Sequence, residues 1–276
     1  GLGLTGIITW AEIQLTKIPG MFIDVESIKF NDLDEFLRLS KESDTTHDYT
    51  VAWLDTSRKE PRGIFMRANC STKTNQKAKT VRDPIATLPI KMPDWFISTP
   101  LIRAFNISYY NKQLAKKKKI TTHYEPFFYP LDILQNWNNL YGSRGLQSFQ
   151  CVVPNESWQC KETILKLLQS TYTSGLASPL TVLKLFGNKP SPGLLSFPRP
   201  GINLLLDFPN IGQKLNALLE ELDVITLRAG GRVNPSKDAH LSAKAFQIMY
   251  PNWRKFEQYI DPAFSSSFWK RVTKEL

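Results

Sequence analysis

The sequence is poor in the residues that build covalent or metal-held frameworks. It has three cysteines and three histidines in 276 residues. Cys70, Cys151 and Cys160 are odd in number and form no C-x-x-C pair, so neither a disulfide framework nor a zinc site is expected, and a reducing, cytoplasmic setting is. His47, His123 and His240 are scattered, with no H-E-x-x-H, and no metal site is expected. No apolar run reaches the roughly 18 residues that span a bilayer, and no basic-then-apolar leader opens the chain, which therefore reads as soluble. A Walker loop, a dinucleotide fingerprint and a G-x-S-x-G nucleophile elbow are also missing. No sequence repeat occurs, and no pair of carboxylates stands out for glycoside chemistry. Asn69, Asn106 and Asn155 fit the glycosylation pattern, but without a leader the pattern carries no weight.

What is present is positive charge and an ordinary core. The net charge is +10, with 42% hydrophobic and 22% charged residues, which excludes a disordered chain. The charge favours anionic partners: nucleic acid, a membrane face or a phosphorylated ligand. A basic balance alone also occurs in proteins with no such partner. No nucleic-acid motif accompanies the charge, so a non-enzymatic basic module for nucleic acid or an anionic membrane is an alternative resting on charge only. Lys116 to Lys119 follow a helical-looking stretch, Leu101 to Ala115, and read as cations at a helix C-terminus.

Periodicity places strands at 4–15, 21–30, 49–56, 63–69, 146–154, 179–187 and 202–209, with a strand-like stretch at 120–130. Helices are expected from an Asn31 cap to Ser43, at 99–116, from Pro130 through Leu140, at 155–173 with Trp158 on its apolar face, and at 211–229 before Gly230-Gly231. Residues 70–93 read as a long polar excursion, and 241–276 as mostly helical. Two strand–helix–strand units, 146–187 and 202–233, stand out. The fold class is α+β, a mostly antiparallel sheet flanked by helices.

Some polar residues interrupt apolar strands. Ser148 and Gln150 lie two apart in "LQSFQCVV" and share a face. Lys184 sits in "VLKLFG" and Asn203 in "INLLLDF". Buried polar groups must be paired, so this face either lines a polar pocket or meets water. In "GGRVNPSKDAH" a helix stop leads to a short strand and Lys237, either a salt-bridge partner or a charge aimed at a ligand.

The segments "GLGLTGIITWAEIQL", "YTVAWLD", "FYPLDILQNWNNLYG", "FQCVVP", "LSFPRPGINLLLDFP", "GGRVNPSKDAH" and "AFQIMYPNWRKFEQYIDP" occur in this order in FAD-linked oxidases of the vanillyl-alcohol-oxidase type, and over nearly its whole length the chain resembles that family. The resemblance implies a C-terminal portion of such an oxidase. Residues 1–19 would be the end of an FAD-binding domain, 20–230 the substrate-binding domain and 231–276 the return to the FAD-binding domain. It implies FAD in the full-length protein but not in this portion alone, which would be inactive and prone to form a homodimer. Lys237 matches a catalytic lysine that reaches flavin and substrate, and Asn203 a cofactor- and substrate-contacting residue. Gln150, Lys184, Phe186, Trp53 and Phe128 match substrate-binding positions. Phe128, Ser148, Val51 and Leu205 stand where a family member has tyrosine, glutamine, serine and cysteine, which leaves the substrate open. The implied reaction is hydride transfer from a sugar or alcohol carbinol to flavin. A polyprenyl-phosphate pentose is the suggested substrate and an aldonolactone the alternative. The implied partners are the N-terminal FAD domain of the same polypeptide, a short-chain reductase and the inner face of a membrane, with no nucleic acid.

Overall fold

The computed structural model describes residues 1–72, 86–155 and 159–274. The first strand, β1 (Phe22–Phe30), is followed by helix α1 (Leu33–Ser43) and by strands β2 (Tyr49–Asp55) and β3 (Arg62–Cys70). A two-residue strand β4 (Ala86–Thr87), helix α2 (Thr99–Lys112), β5 (Lys117–His123), the single turn α3 (Glu125–Phe128) and β6 (Leu134–Gln135) come next. Then come β7 (Leu146–Val153), α4 (Gln159–Thr173), β8 (Leu180–Phe186), β9 (Gly201–Pro209), α5 (Gln213–Arg228) and β10 (Arg232–Val233). Three short helices close the chain: α6 (Ala243–Met249), α7 (Trp253–Glu257) and α8 (Ser267–Val272).

Eight strands form one sheet in the order β10-β7-β9-β8-β2-β3-β1-β5, antiparallel at every pairing. The fold is therefore α+β with an antiparallel sheet flanked by helices, as the periodicity implies. The order reads the same from either end. β1-α1-β2-β3-α2-β5 and β7-α4-β8-β9-α5-β10 are two β-α-β-β-α-β units of the split type, joined where β2 pairs with β8 through Ala52↔Leu183 and Trp53↔Val182. The repeat is one of topology; no sequence repeat marks it.

Side chains alternate across the sheet. Phe30, Ala52, Leu54, Phe65, Phe149, Cys151, Leu183, Leu204 and Leu206 point to one face and form the main core with α1, α4, α5 and the C-terminal helices. The opposite face carries Trp53 and Ile64, which pack on Tyr110 of α2. So α2 lies on the side opposite to α1, whereas its counterpart α5 packs with α4 on the core side. Where a second helix would cover the first half, the core-side face is charged instead. Glu26 there is 7% exposed and is met by Arg67 (Nε at 2.6 Å), Lys117 (2.7 Å) and Lys119 (3.2 Å). Burial alone would raise the Glu26 pKa, but hydrogen bonds from Lys117, Arg67 and Lys119 outweigh it and hold the carboxyl down to about 2.

Several expectations need correction. Residues 116–119 do not end a helix: α2 stops at Lys112, and Lys117–Lys119 lie on the edge strand β5. Lysine on an edge deters further strand pairing. The α1 cap is Asp32, whose Oδ1 accepts from Glu35 N at 2.7 Å, while Asn31 N donates to Glu35 Oε2 at 3.1 Å, a capping box shifted by one residue. Residues 4–15 form no strand. Leu4 is buried, and its carbonyl accepts from Asp261 N at 2.9 Å, but Ile7, Ile8, Trp10, Ile13 and Leu15 are each at least three-quarters exposed. A strand needs a partner for its backbone groups, and none of the described strands reaches them. Between Pro130 and Leu140 the helix is replaced by turns, β6 and a 3-10 segment, Trp137–Tyr141. Trp158 lies outside the described residues.

The Glu26 cluster makes stability depend on pH. Its folded pKa is depressed from 4.5 to about 2, so its contribution is present above the unfolded pKa and is lost as pH falls toward 2. Glu26→Gln is expected to cost about 2 kcal/mol at pH 7 and to flatten the pH 5-to-2 limb of a urea-denaturation series. An unchanged limb would show that the cluster contributes nothing.

Candidate functional site

On the face opposite the main core, none of the described helices packs over the second half of the sheet, and several of its side chains are polar. Because β7 and β9 pair as Gln150↔Leu205, Val152↔Asn203 and Ser148↔Asp207, and β9 with β8 as Asn203↔Lys184, these side chains project together. β10 continues the sheet by one more bond, Asn234 N to Gln150 O at 2.8 Å, and this brings the turn Pro235–Lys237 to the same edge.

Three amides form a directed row. The backbone N–H of Ser236 donates to Asn234 Oδ1 at 3.0 Å. A backbone N–H can only donate, so it fixes which end of the Asn234 amide is oxygen. Asn234 Nδ2 then donates to Gln150 Oε1 at 2.7 Å, and Gln150 Nε2 donates to Asn203 Oδ1 at 2.8 Å. Asn203 is 2% exposed, and its Nδ2 has no partner among the described residues. The row therefore ends in an N–H donor beside Lys184, set up for an acceptor oxygen or ring nitrogen.

Beside the row lies a carboxylate. Asp207 is buried and accepts a short hydrogen bond from the Ser148 hydroxyl. Burial raises its pKa, while Ser148 and the nearby Lys237 ammonium pull it partly back. Lys184 and Lys237 are both exposed, so the open part of this face is positive.

The Lys237 turn is anchored from behind. Asp238 Oδ1 accepts from His240 N (2.8 Å) and Leu241 N (2.7 Å), and its Oδ2 from Arg271 of α8 (2.6 Å). His240 Nε2 lies 3.1 Å from Asp223 Oδ2 of α5. Burial pulls the His240 pKa down, but Asp223 and Asp238 outweigh it and the net shift is upward.

The other sequence-predicted residues share this face at increasing distance. Phe186 stands two residues beyond Lys184 and contacts Phe197 with ring centres 6.1 Å apart. Trp53, across the β2–β8 seam, donates from Nε1 to Pro179 O at 3.3 Å and packs on Tyr109 at 4.7 Å. Phe128 is not part of the cluster; it packs on Tyr49, four residues and about 13 Å along β2 from Trp53. Asp207 and Asn234 were not singled out by sequence reasoning. The signal for Asp207 was its spacing of four from Asn203 in a strand, which puts both on one face; no sequence signal marks Asn234.

No family model matches the chain. Among curated proteins it is 32% identical to decaprenylphosphoryl-β-D-ribose oxidase of Mycolicibacterium smegmatis (strain ATCC 700084 / mc(2)155) over 289 residues, covering 99% of this chain. It spans 61% of the length of that oxidase. It is also 27% identical, over 99% of its length and 78% of the relative's, to a protein of Streptomyces coelicolor described as an uncharacterized protein in the mprA 5' region. A solved variant of berberine bridge enzyme, described as a reticuline dehydrogenase, aligns with 92% of this chain and 54% of its own at a TM-score of 0.43 and 12% identity. The similarity to the Mycolicibacterium smegmatis oxidase agrees with the resemblance drawn from the segments themselves. Among the described residues no helix is long and apolar enough to cross a membrane, and no group of histidine, cysteine and acidic residues could hold a metal.

The amide row makes a sharp expectation. Asn234→Asp keeps an acceptor for Ser236 N but removes the donor to Gln150. Gln150 and then Asn203 should rotate, and the row should end in an acceptor. The side-chain amide cross-peaks of Gln150 and Asn203 in a 1H–15N spectrum should both shift, with a stability loss of about 1 kcal/mol. Shifts confined to Gln150 would mean that the row is not coupled.

Proposed function

We propose that this chain carries the substrate-binding face of an FAD-dependent oxidoreductase that oxidises the carbinol of a sugar or alcohol. The observation that carries the reading is the directed amide row beside Lys184 and Lys237, in a chain 32% identical to a sugar-lipid-named oxidase. The residues present fit a flavin. The isoalloxazine edge is rich in acceptor oxygens and nitrogens, and the row ends in the Asn203 Nδ2 donor, opposite Lys184 in the β8–β9 register, with the Lys237 turn at its other end. Asn203 and Lys237 would hold that edge.

When bound, FAD supplies a two-electron acceptor for the hydride of the carbinol carbon. The chain's own residues do the rest. Lys237, fixed in its turn by Asp238 and Arg271, places a positive charge where negative charge accumulates in the transition state. Asn203 Nδ2 and Lys184 orient an acceptor oxygen of the substrate. Oxidation of a carbinol also releases the hydroxyl proton, and Asp207, beside Lys237 and bonded to Ser148, is positioned to accept it at a carboxylate oxygen. Phe186 and Trp53 supply apolar walls, and Phe128 the far margin.

In the same reading, residues 1–19 and 231–276 belong to an FAD-binding unit and 20–230 form the substrate unit. The exposed Ile7, Ile8, Trp10, Ile13 and Leu15 are the surface such a unit would cover. The +10 charge favours an anionic substrate such as a polyprenyl-phosphate pentose, and contact with an anionic membrane.

The test is flavin bleaching in the FAD-loaded full-length protein under anaerobic conditions, with a polyprenyl-phosphate pentose in one arm and an aldonolactone in the other. Lys237→Ala should slow bleaching by about 10²–10³-fold, and Lys237→Arg should recover part of the rate. A lactone-only response would reassign the substrate. An unchanged rate in Lys237→Ala, or no bleaching by any carbinol, would overturn the reading.

A further inference from the structure

Two carboxylates are buried behind the Lys237 turn, and only one of them has a permanent cation. Asp238 is served on both oxygens. Its Oδ1 accepts from the backbone N–H groups of His240 (2.8 Å) and Leu241 (2.7 Å), and its Oδ2 from Arg271 of α8 (2.6 Å). Asp223 of α5 is less well provided. It is 7% exposed, and its Oδ1 has no hydrogen-bond partner among the described residues. Its ion-pair partner is His240, whose Nε2 lies 3.1 Å from Oδ2. The other ring nitrogen, Nδ1, is 3.5 Å from Asp238 Oδ1. The imidazole therefore stands between the two carboxylates and joins the turn to α5.

Asp223 and Asp238 set against Arg271 alone leave one negative charge uncompensated. A protonated His240 cancels it and a neutral one does not, and an uncompensated buried charge is costly. The other titratable groups packed here cannot take over. Glu220, one turn earlier on α5, adds negative charge at Asp223. Cys151 of β7 is buried, and its thiol is pushed up to about 12. Tyr250, after α6, donates its hydroxyl to Val233 O at 2.7 Å, and burial pushes its pKa up, so it stays neutral. The Lys237 ammonium acts on Asp207 instead. Neither ring nitrogen of His240 has an in-line hydrogen-bond partner, so charge is what holds the ring to the carboxylates. Burial opposes that charge, but Asp223 and Asp238 outweigh it and raise the His240 pKa above the ordinary 6.5.

We propose that His240 is a positioning residue for Lys237: its imidazolium, held between Asp223 and Asp238, fixes the turn that carries Lys237, and loss of its proton releases that turn. The coupling is short. Asp238 directly follows Lys237, and Lys237 N donates to Asn234 O at 3.1 Å, so a shift of Asp238 moves Lys237 and the Asn234 end of the amide row together. Because the folded pKa is raised, the contribution of the ion pair is complete below the unfolded value and is lost as pH rises through the folded one. Histidine is the side chain that makes this change near neutral pH. The consequence for catalysis, which rests on the oxidase reading above, is a rate that falls on the alkaline side of the His240 midpoint.

The test uses this chain, followed by NMR between about pH 5 and 9. The His240 imidazole should titrate with a midpoint above 6.5, and the backbone amide signals of Ser236 and Lys237 should shift with that same midpoint. Asp223→Asn should lower the midpoint by about one pH unit. His240→Gln should abolish the dependence at Ser236 and Lys237. Amide signals that ignore the His240 titration, a midpoint unmoved in Asp223→Asn, or the same dependence persisting in His240→Gln would each overturn the proposal. In the FAD-loaded full-length protein, His240→Gln should slow flavin bleaching by about tenfold near pH 6 and hardly at all above the midpoint; equal slowing at every pH would also overturn it. A turn that follows His240 in a protein whose flavin no carbinol bleaches would support the positioning and count against the oxidase reading alone.

Discussion

Two registered pairs, Ala52↔Leu183 and Trp53↔Val182, hold the two halves of this protein in one sheet. Everything else inherits its sidedness from them. Ala52 and Leu183 are both fully buried and extend the main core across the seam. Trp53 and Val182 carry the opposite face across it. A slip of one residue here would turn the second half over. The Gln150, Asn203 and Asp207 side chains would then point into Leu- and Phe-rich packing, and Leu204 and Leu206 into water. The seam is short, so its register rests on burial more than on hydrogen bonds.

The two halves share a strand order but not a helix arrangement, and that asymmetry creates the usable surfaces. In the second half α4 and α5 pack side by side on the core face. This frees the other face for polar side chains. In the first half α2 crosses to that other face and packs Tyr110 on Trp53 and Ile64. It becomes a wall standing beside the polar surface. The core-side surface it leaves behind is closed by ions rather than by apolar packing. Glu26 among Arg67, Lys117 and Lys119 is a local solution to a missing helix. Removing one partner from such a buried set costs more than the set itself contributes.

The strands of the sheet were largely legible because burial on one face imposes a period of two. That same period put Ser148 and Gln150 together, and pairing in the structure adds Asn203 and Lys184 to them. What escaped the sequence was decided by partners far away in the chain. Lys116 to Lys119 look like a helix end, since four lysines have little intrinsic preference for a strand. Their placement depends on β1, some 90 residues earlier, and on Glu26. The stretch at 4–15 has the composition of a strand, but composition supplies no neighbour for its backbone. Asn234 could not be singled out, because its role exists only once β10 lies against β7. Asp32 rather than Asn31 caps α1 because Glu35, three residues on, reaches back to Asn31 N.

The candidate site shows how a neutral row of amides can acquire a direction. Isolated Asn and Gln side chains are ambiguous, each able to turn either end to a neighbour. Here the ambiguity is removed at one point, the Ser236 backbone N–H, and the choice passes through Asn234 and Gln150 to Asn203. The turn that supplies this N–H is also the one that carries Lys237, and it is fixed by Asp238 with Arg271 and followed by His240 against Asp223. The donor at one end of the row and the ammonium at the other are therefore set by the same few residues. A displacement of that turn would disturb both together, and Asp238, Arg271, His240 and Asp223 are the charged or titratable side chains that hold it in place.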